Sequence, residues 1–213
     1  MRALRNWVAA VSMAVASAAP CFAGNAAAEF GRVQPSPQVR QVGDWVVRTR
    51  DNQSLPFMVI DKRRARLYVF EPGGQLRGTA PVLLGLAKGD HTVPGIGEKP
   101  LAQVKDDERT TPAGRFVAER GRNLRGDDIL WVDYDSAVSM HRVRSVGQNE
   151  RRLERLASPT PADNRISYGC INVPVAFFDG VIDHVVTGKS VVVYVLPDVQ
   201  PLQQVFGWTT ATR

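Results

Sequence analysis

From residue 56 onward the chain alternates short apolar runs with polar turns, and the run lengths fit strands better than helices. Phe57-Met58-Val59-Ile60 and Arg66-Leu67-Tyr68-Val69-Phe70 flank Asp61-Lys62, and the turn Glu71-Pro72-Gly73-Gly74 leads on to a further predicted strand, Ala80-Pro81-Val82-Leu83-Leu84. Thr111-Pro112-Ala113-Gly114-Arg115-Phe116 reads as a turn feeding a strand, with Thr111 and Gly114 shaping the turn. Ile129-Leu130-Trp131-Val132 and Ala137-Val138-Ser139-Met140-His141 predict a hairpin that ends on a histidine, and Ser190 to Leu196 predicts a β-branched final strand. Helical spacing is confined to three places. Val39, Val42, Trp45 and Val46 fall near a 3.6 period despite Gly43; Arg151 to Leu156 is a short second segment; Val175 to Val186 follows Pro174 and stops before Gly188. No repeat is present. The pattern predicts a mainly-β domain with one or two helices packed on it.

The ends read differently. Arg2 and Arg5, the apolar stretch Trp7 to Ala19 and Cys21-Phe22-Ala23 before Gly24 have the order of an export signal. The stretch is short of the roughly 20 residues a membrane span needs. Residues 1–23 are therefore expected to be a signal peptide cleaved after Ala23, with Ala18 as the fallback. Residues 24–55 are expected to be an N-terminal linker or extension, 56–198 the main globular domain and 199–213 a C-terminal tail. No second apolar stretch rivals the first, so no transmembrane anchor is expected after cleavage.

Of 213 residues, 44% are hydrophobic and 23% charged, which suits one globular domain with an adequate core. The formal charge of +6 falls to +4 once Arg2 and Arg5 are removed. In an exported protein such a charge points to anionic envelope polymers or acidic peptides rather than nucleic acid. Gly95-Ile96-Gly97 lacks the Gly-Lys-Ser/Thr ending of a phosphate loop.

Cleavage would leave Cys170 as the mature chain's lone thiol, within Ser167-Tyr168-Gly169-Cys170-Ile171-Asn172. An unpaired cysteine in an exported protein is a reactive thiol, an intermolecular bridge or a buried small hydrophobe. A reactive thiol needs a base. His91 lies in a polar loop and His184 in the middle of a predicted helix, whereas His141 ends a strand ahead of the cysteine segment. One thiol and scattered histidines form no metal-ligand cluster, and no organic cofactor is implied.

A strand-ending histidine followed by Ser-Tyr-Gly-Cys-Ile-Asn resembles the L,D-transpeptidase catalytic domain of bacterial cell-wall enzymes, whose motif is His, a spacer, then Ser/Thr-His-Gly-Cys-hydrophobe-Asn or Arg. The hairpin Val59 to Phe70, the Thr-Pro-x-Gly-x-Phe segment at Thr111 to Phe116 and the helix-Gly-strand ending extend the resemblance from about Pro56 to Pro197. It implies an L,D-transpeptidase-like β-sandwich or barrel, exported to the periplasm or cell envelope. Cys170 matches the nucleophile and His141 the base; Ser167, Tyr168, Gly169 and Asn172 match the nucleophile loop. The N–H groups of Gly169 and Cys170 are expected to contribute to an oxyanion hole, and Asn172 either to bind ligand or to cap the following helix. The implied partner is a peptidoglycan tetrapeptide stem, with an envelope protein as an alternative acyl acceptor.

Two departures shape these expectations. Tyr168 stands where the family has a histidine, and a phenol is no base at neutral pH but can donate a hydrogen bond. The spacer from His141 to Ser167 is long and Arg-rich, so residues 142–166 are read either as a solvated, internally paired face or as a lid, with Arg142 and Arg165 as candidates for stem carboxylates. The leading expectation is a cysteine peptidyltransferase that cross-links or remodels stems. The alternatives are an L,D-carboxypeptidase or a hydrolase of stem–protein linkages, and a non-catalytic peptidoglycan-binding protein.

Overall fold

The computed structural model of the chain describes residues 26–144 and 148–208; the expected leader and its cleavage site lie outside them. Helix α1 (Pro37–Thr49) comes first, followed by β1 (Phe57–Asp61), β2 (Arg66–Phe70), β3 (Leu76–Pro81) and β4 (Leu84–Gly85). Then come β5 (Gly114–Arg122), β6 (Asp128–Asp133), β7 (Val138–Arg142), α2 (Arg152–Ala157), β8 (Arg165–Ser167) and β9 (Ile171–Val173). A helical stretch follows, with α3 (Val175–Phe177), a π-turn (Phe178–Ile182) and α4 (Asp183–Val185), then β10 (Ser190–Val195) and α5 (Leu202–Phe206). The fold is mainly β, with a few short helices.

Eight strands form one sheet in the order β3-β2-β1-β10-β5-β6-β7-β9, and β4 pairs with β8 separately. The β1·β10 and β7·β9 pairs are parallel and the other contacts within the large sheet are antiparallel. The continuous apolar runs have a simple cause: the sheet is covered on both faces. Met58, Ile60, Leu67, Val69, Val191, Val193 and Val195 point into one core with Phe178 and Ile182 of the 175–185 helical stretch. Their neighbours Phe57, Val59, Tyr68, Phe70, Val192 and Tyr194 point into a second core with Val39, Val42 and Val46 of α1 and Leu202 of α5. The extension 24–55 and the tail 199–213 thus each contribute a helix to the packing.

α1 begins where Ser36 accepts a hydrogen bond from Val39 N (3.2 Å) and Pro37 opens the first turn, and it ends at Arg50 in the left-handed region. Gly43 sits inside this helix because a Cβ there would lie 3.0 Å from the Ala28 side chain. One predicted strand is displaced. The ladder ends at Pro81, which has no N–H to continue it, and does not run over Ala80 to Leu84. Val82 and Leu83 are apolar because they are fully buried, and Leu83 instead exchanges two backbone hydrogen bonds of 2.9 Å with Asn172.

A buried ionic centre joins the segments around β1. Lys62, 1% exposed, donates to Gly89 O (2.5 Å), Thr111 O (2.9 Å) and Asp90 Oδ1 (3.1 Å), and lies 3.4 Å from Asp198 Oδ2. Arg165 adds donors to Lys62 O (2.8 Å) and Asp198 Oδ1 (2.7 Å). Burial holds the Lys62 pKa below its ordinary value despite the carboxylates of Asp198 and Asp90. Three oxygen acceptors for three ammonium protons nevertheless match the charged form. Burial alone would raise the Asp90 pKa, but the N–H groups of Gln200, Asp198 and Val199, together with Lys62, bring it to about 2.

That depression sets a pH dependence. A carboxyl whose folded pKa lies below its unfolded value near 3.9 contributes stability that is present above about pH 4 and lost as pH falls through about 2. Asp90→Asn should therefore lose about 2 kcal/mol at pH 7 in urea melts, with the gap to wild type shrinking between pH 4 and pH 2. A gap that stays constant over pH 2–7 would rule out the carboxylate as its source.

Candidate active site

Strand β7 alternates strictly. Val138 and Met140 enter the core, so Ser139 and His141 emerge on the opposite face. In the parallel β7·β9 register Met140 faces Ile171 and His141 faces Asn172. Cys170 immediately precedes β9 and is thereby brought into step with Ser139. Its Sγ lies 3.6 Å from Ser139 Oγ and 3.7 Å from Ala137 O, and the His141 ring is near enough to act on its titration. His141 Nδ1 is 2.8 Å from Arg142 O. A carbonyl only accepts, so the proton of neutral His141 sits on Nδ1 and Nε2 is left to face the thiol.

Opposed effects set the electrostatics. Burial alone would push the Cys170 thiol up, but hydrogen bonds from His141 and Ser139 outweigh it and hold the thiol below its ordinary pKa. Burial likewise disfavours the imidazolium, yet hydrogen bonding and charge attraction to Cys170, with the Arg142 carbonyl, raise the His141 pKa. Both shifts favour passage of the Sγ proton to the imidazole, the direction that a cysteine nucleophile needs.

The loop before Cys170 is built by hydroxyl groups. Ser167 Oγ donates to Cys170 O (2.6 Å) and accepts from Gly169 N (3.1 Å). Gly169 has φ of +128°, and a Cβ there would come 2.9 Å from Thr110 O, so glycine is required twice over. Thr111 Oγ1 donates to Gly169 O (2.7 Å) and accepts from Gly85 N (2.9 Å). The Gly169 N–H is consequently occupied and does not belong to an oxyanion hole in this arrangement. Cys170 N–H has no hydrogen-bond partner among the described residues and remains as a donor.

Other expected residues are placed as follows. Asn172 is fully buried; its Oδ1 accepts from Arg152 (2.6 Å) and its Nδ2 donates to Cys170 O (3.3 Å). It caps no helix, since α3 has Pro174 at its N-cap and no side-chain cap. Tyr168 is partly exposed under the Arg109 guanidinium, 4.0 Å from its ring centre, and its hydroxyl accepts from Arg109 (3.2 Å). Arg142 pairs with Asp179 (2.6 Å) and Asp183 (3.0 Å), whereas Arg165 belongs to the Lys62 centre. A cavity of about 440 Å³ opens beside His141, with Asp127, Asp128, Arg142, Arg144 and Val175 among its walls. His91 contacts Gln200, and His184 bonds to Asp179 O.

Ser139 and Arg109 escaped the sequence reading, and Arg152 entered it only as one arginine of the 142–166 segment. The signal for Ser139 was its place two residues before His141 on an alternating strand. Nothing local marks Arg109, which comes from a distant segment.

No protein-family model matches the chain, and no curated protein matches it in sequence. Among solved structures, the chain is similar to an L,D-transpeptidase mutant from Enterococcus faecium, at 16% identity over 66% of this chain and 49% of that one, with a TM-score of 0.38. It is also similar to an L,D-transpeptidase from Xylanimonas cellulosilytica DSM 15894, at 15% identity over 67% of this chain and 61% of that one, with a TM-score of 0.43. For the catalytic domain of the E. faecium L,D-transpeptidase determined by NMR, the identity is 16% over 67% of this chain and 98% of that one, with a TM-score of 0.37. The matched region thus spans about half the length of the first of these chains.

Two measurements test the site. Iodoacetamide should label Cys170 at pH 6 about tenfold or more faster than an unperturbed thiol, and His141→Ala should remove that advantage. Equal rates in the two proteins would show that the imidazole does not activate the thiol. Thr111→Val strands Gly85 N–H and Gly169 C=O in a buried place and should lower stability by about 1–3 kcal/mol in urea melts. A loss below about 0.5 kcal/mol would mean that the Thr111 hydroxyl does not brace the loop.

Proposed function

We propose that the protein is an exported cysteine peptidyltransferase of the L,D-transpeptidase kind, acting on peptidoglycan tetrapeptide stems in the cell envelope. The reading rests on one observation above all: adjacent parallel strands hold Cys170 against His141 and Ser139, with the thiol pKa lowered and the imidazole pKa raised. The motif resemblance and the leader-like first 23 residues supply the substrate class and the compartment.

His141 Nε2 takes the Sγ proton, and the Cys170 thiolate forms a bond to the carbonyl carbon of the diamino acid that precedes the terminal D-Ala. The tetrahedral oxygen accepts a hydrogen bond from Cys170 N–H. Collapse breaks the carbon–nitrogen bond, and the imidazolium gives its proton to the departing D-Ala amine, which leaves a thioester. An acceptor amine, from a second stem or an envelope protein, attacks that thioester, returns a proton through His141 and frees the thiol. Water in place of the amine yields carboxypeptidase action. That second reading draws its support from Tyr168, whose hydroxyl and stacked Arg109 stand two residues from the nucleophile where the family has a histidine.

Purified protein incubated with disaccharide-tetrapeptide, beside a Cys170→Ala control, decides between these outcomes by mass spectrometry. Cross-linked dimer with loss of D-Ala is expected. Tripeptide without dimer would identify a carboxypeptidase, and no Cys170-dependent change would refute activity on this donor.

A further inference from the structure

A second cavity, of about 280 Å³, contains neither Cys170 nor His141 in its walls. Its charged groups are Lys62, Arg63, Lys88 and Arg165 against a single carboxylate, Asp198. That carboxylate is already committed: Oδ1 accepts from Arg165 (2.7 Å), and Oδ2 accepts from Gly89 N (3.2 Å) beside Lys62. Asp90, behind it, is engaged by Lys62 and by three backbone N–H groups. Arg63 donates Nε and Nη2 only to the neutral carbonyl of Asp198, so no carboxylate offsets its charge there. Lys88 is exposed at the rim.

Arg165 supplies an independent sign of a missing acceptor. Its side chain is 7% exposed, and Nη2 is bonded twice, yet Nη1 is buried with no hydrogen-bond partner among the described residues. A buried charged N–H is rarely left without an acceptor. We propose that this cavity is an anion site for a phosphate monoester, separate from the cysteine site, in which Arg165, Arg63 and Lys88 hold the phosphoryl oxygens.

The choice of phosphate follows from the donors. Three side chains approach from separate segments, which suits a tetrahedral dianion better than a planar carboxylate satisfied by one guanidinium. Pro161 and Ala162 add apolar wall beside the cations, and the volume exceeds that of bare phosphate, so a small organic substituent fits with it.

Calorimetric titration of the purified protein at fixed ionic strength tests the site with glycerol 3-phosphate, inorganic phosphate and acetate. Glycerol 3-phosphate should bind saturably, one to one, and about tenfold or more tighter than acetate. Lys88→Gln, at an exposed position, should weaken it about fivefold or more at an unchanged melting temperature, and Cys170→Ala should leave it unchanged. Inorganic phosphate binding as tightly as the ester would remove the organic substituent from the proposal. Absence of saturable binding, affinity unaffected by both Lys88→Gln and Arg63→Gln, or loss of binding in Cys170→Ala would each overturn the site.

Discussion

The Lys62 ammonium is the tie on which the position of Cys170 depends. It is buried among oxygens from the 89–90 loop, Thr111 and the residue-198 segment, so three stretches far apart in the chain share one charge. The same Thr111 that accepts from Lys62 through its carbonyl donates through its hydroxyl to Gly169, the residue before Cys170. Arg165, which bonds the Lys62 carbonyl, opens the strand that leads into Ser167. Removing one member of such a buried cluster is expensive because the remaining charges cannot be solvated in place. The loop geometry therefore inherits its rigidity from an ionic centre that contains neither Cys170 nor His141.

At the site itself, burial works against both charges that the chemistry needs. It raises the thiol pKa and lowers that of the imidazole, and their mutual contact, with help from Ser139 at the thiol and the Arg142 carbonyl at the imidazole, reverses both directions. Arg152 disfavours the imidazolium from nearby while its guanidinium is held by Asn172 and Glu150. Asn172 in turn supports the Cys170 carbonyl. The residues around the pair thus trade some proton affinity at His141 for a fixed thiol position.

The arginines of the 142–166 segment are mostly paired, some within the segment and some with residues outside it. Arg144 pairs with Asp127, Arg151 with Glu154, and Arg155 donates to the carbonyls of Glu150 and Asp163. Leu156 of α2 is buried with Leu83 and Val143, which fastens the segment beside β9. Exposed pairs of this kind add little stability. The buried contacts of Arg152 and Leu156 are what dock it.

Periodicity and turn residues were sufficient for β1, β2, the β6·β7 hairpin and β10, because a sheet covered on both faces imposes unbroken apolar runs on its central strands. The motif around Cys170 and the place of His141 near the end of a strand were also readable, since both are local, although the strand runs one residue further, to Arg142. The run over Val82 to Leu84 misled because burial alone makes a segment apolar, whether it joins a ladder or crosses beside one. Only the tertiary structure could decide that Ser167 occupies the Gly169 N–H, that Asn172 faces inward, and that Lys62, Asp90, Arg165 and Asp198 meet. Those outcomes depend on which distant segments share a dielectric boundary and a set of unpaired donors, and a linear sequence carries no record of either.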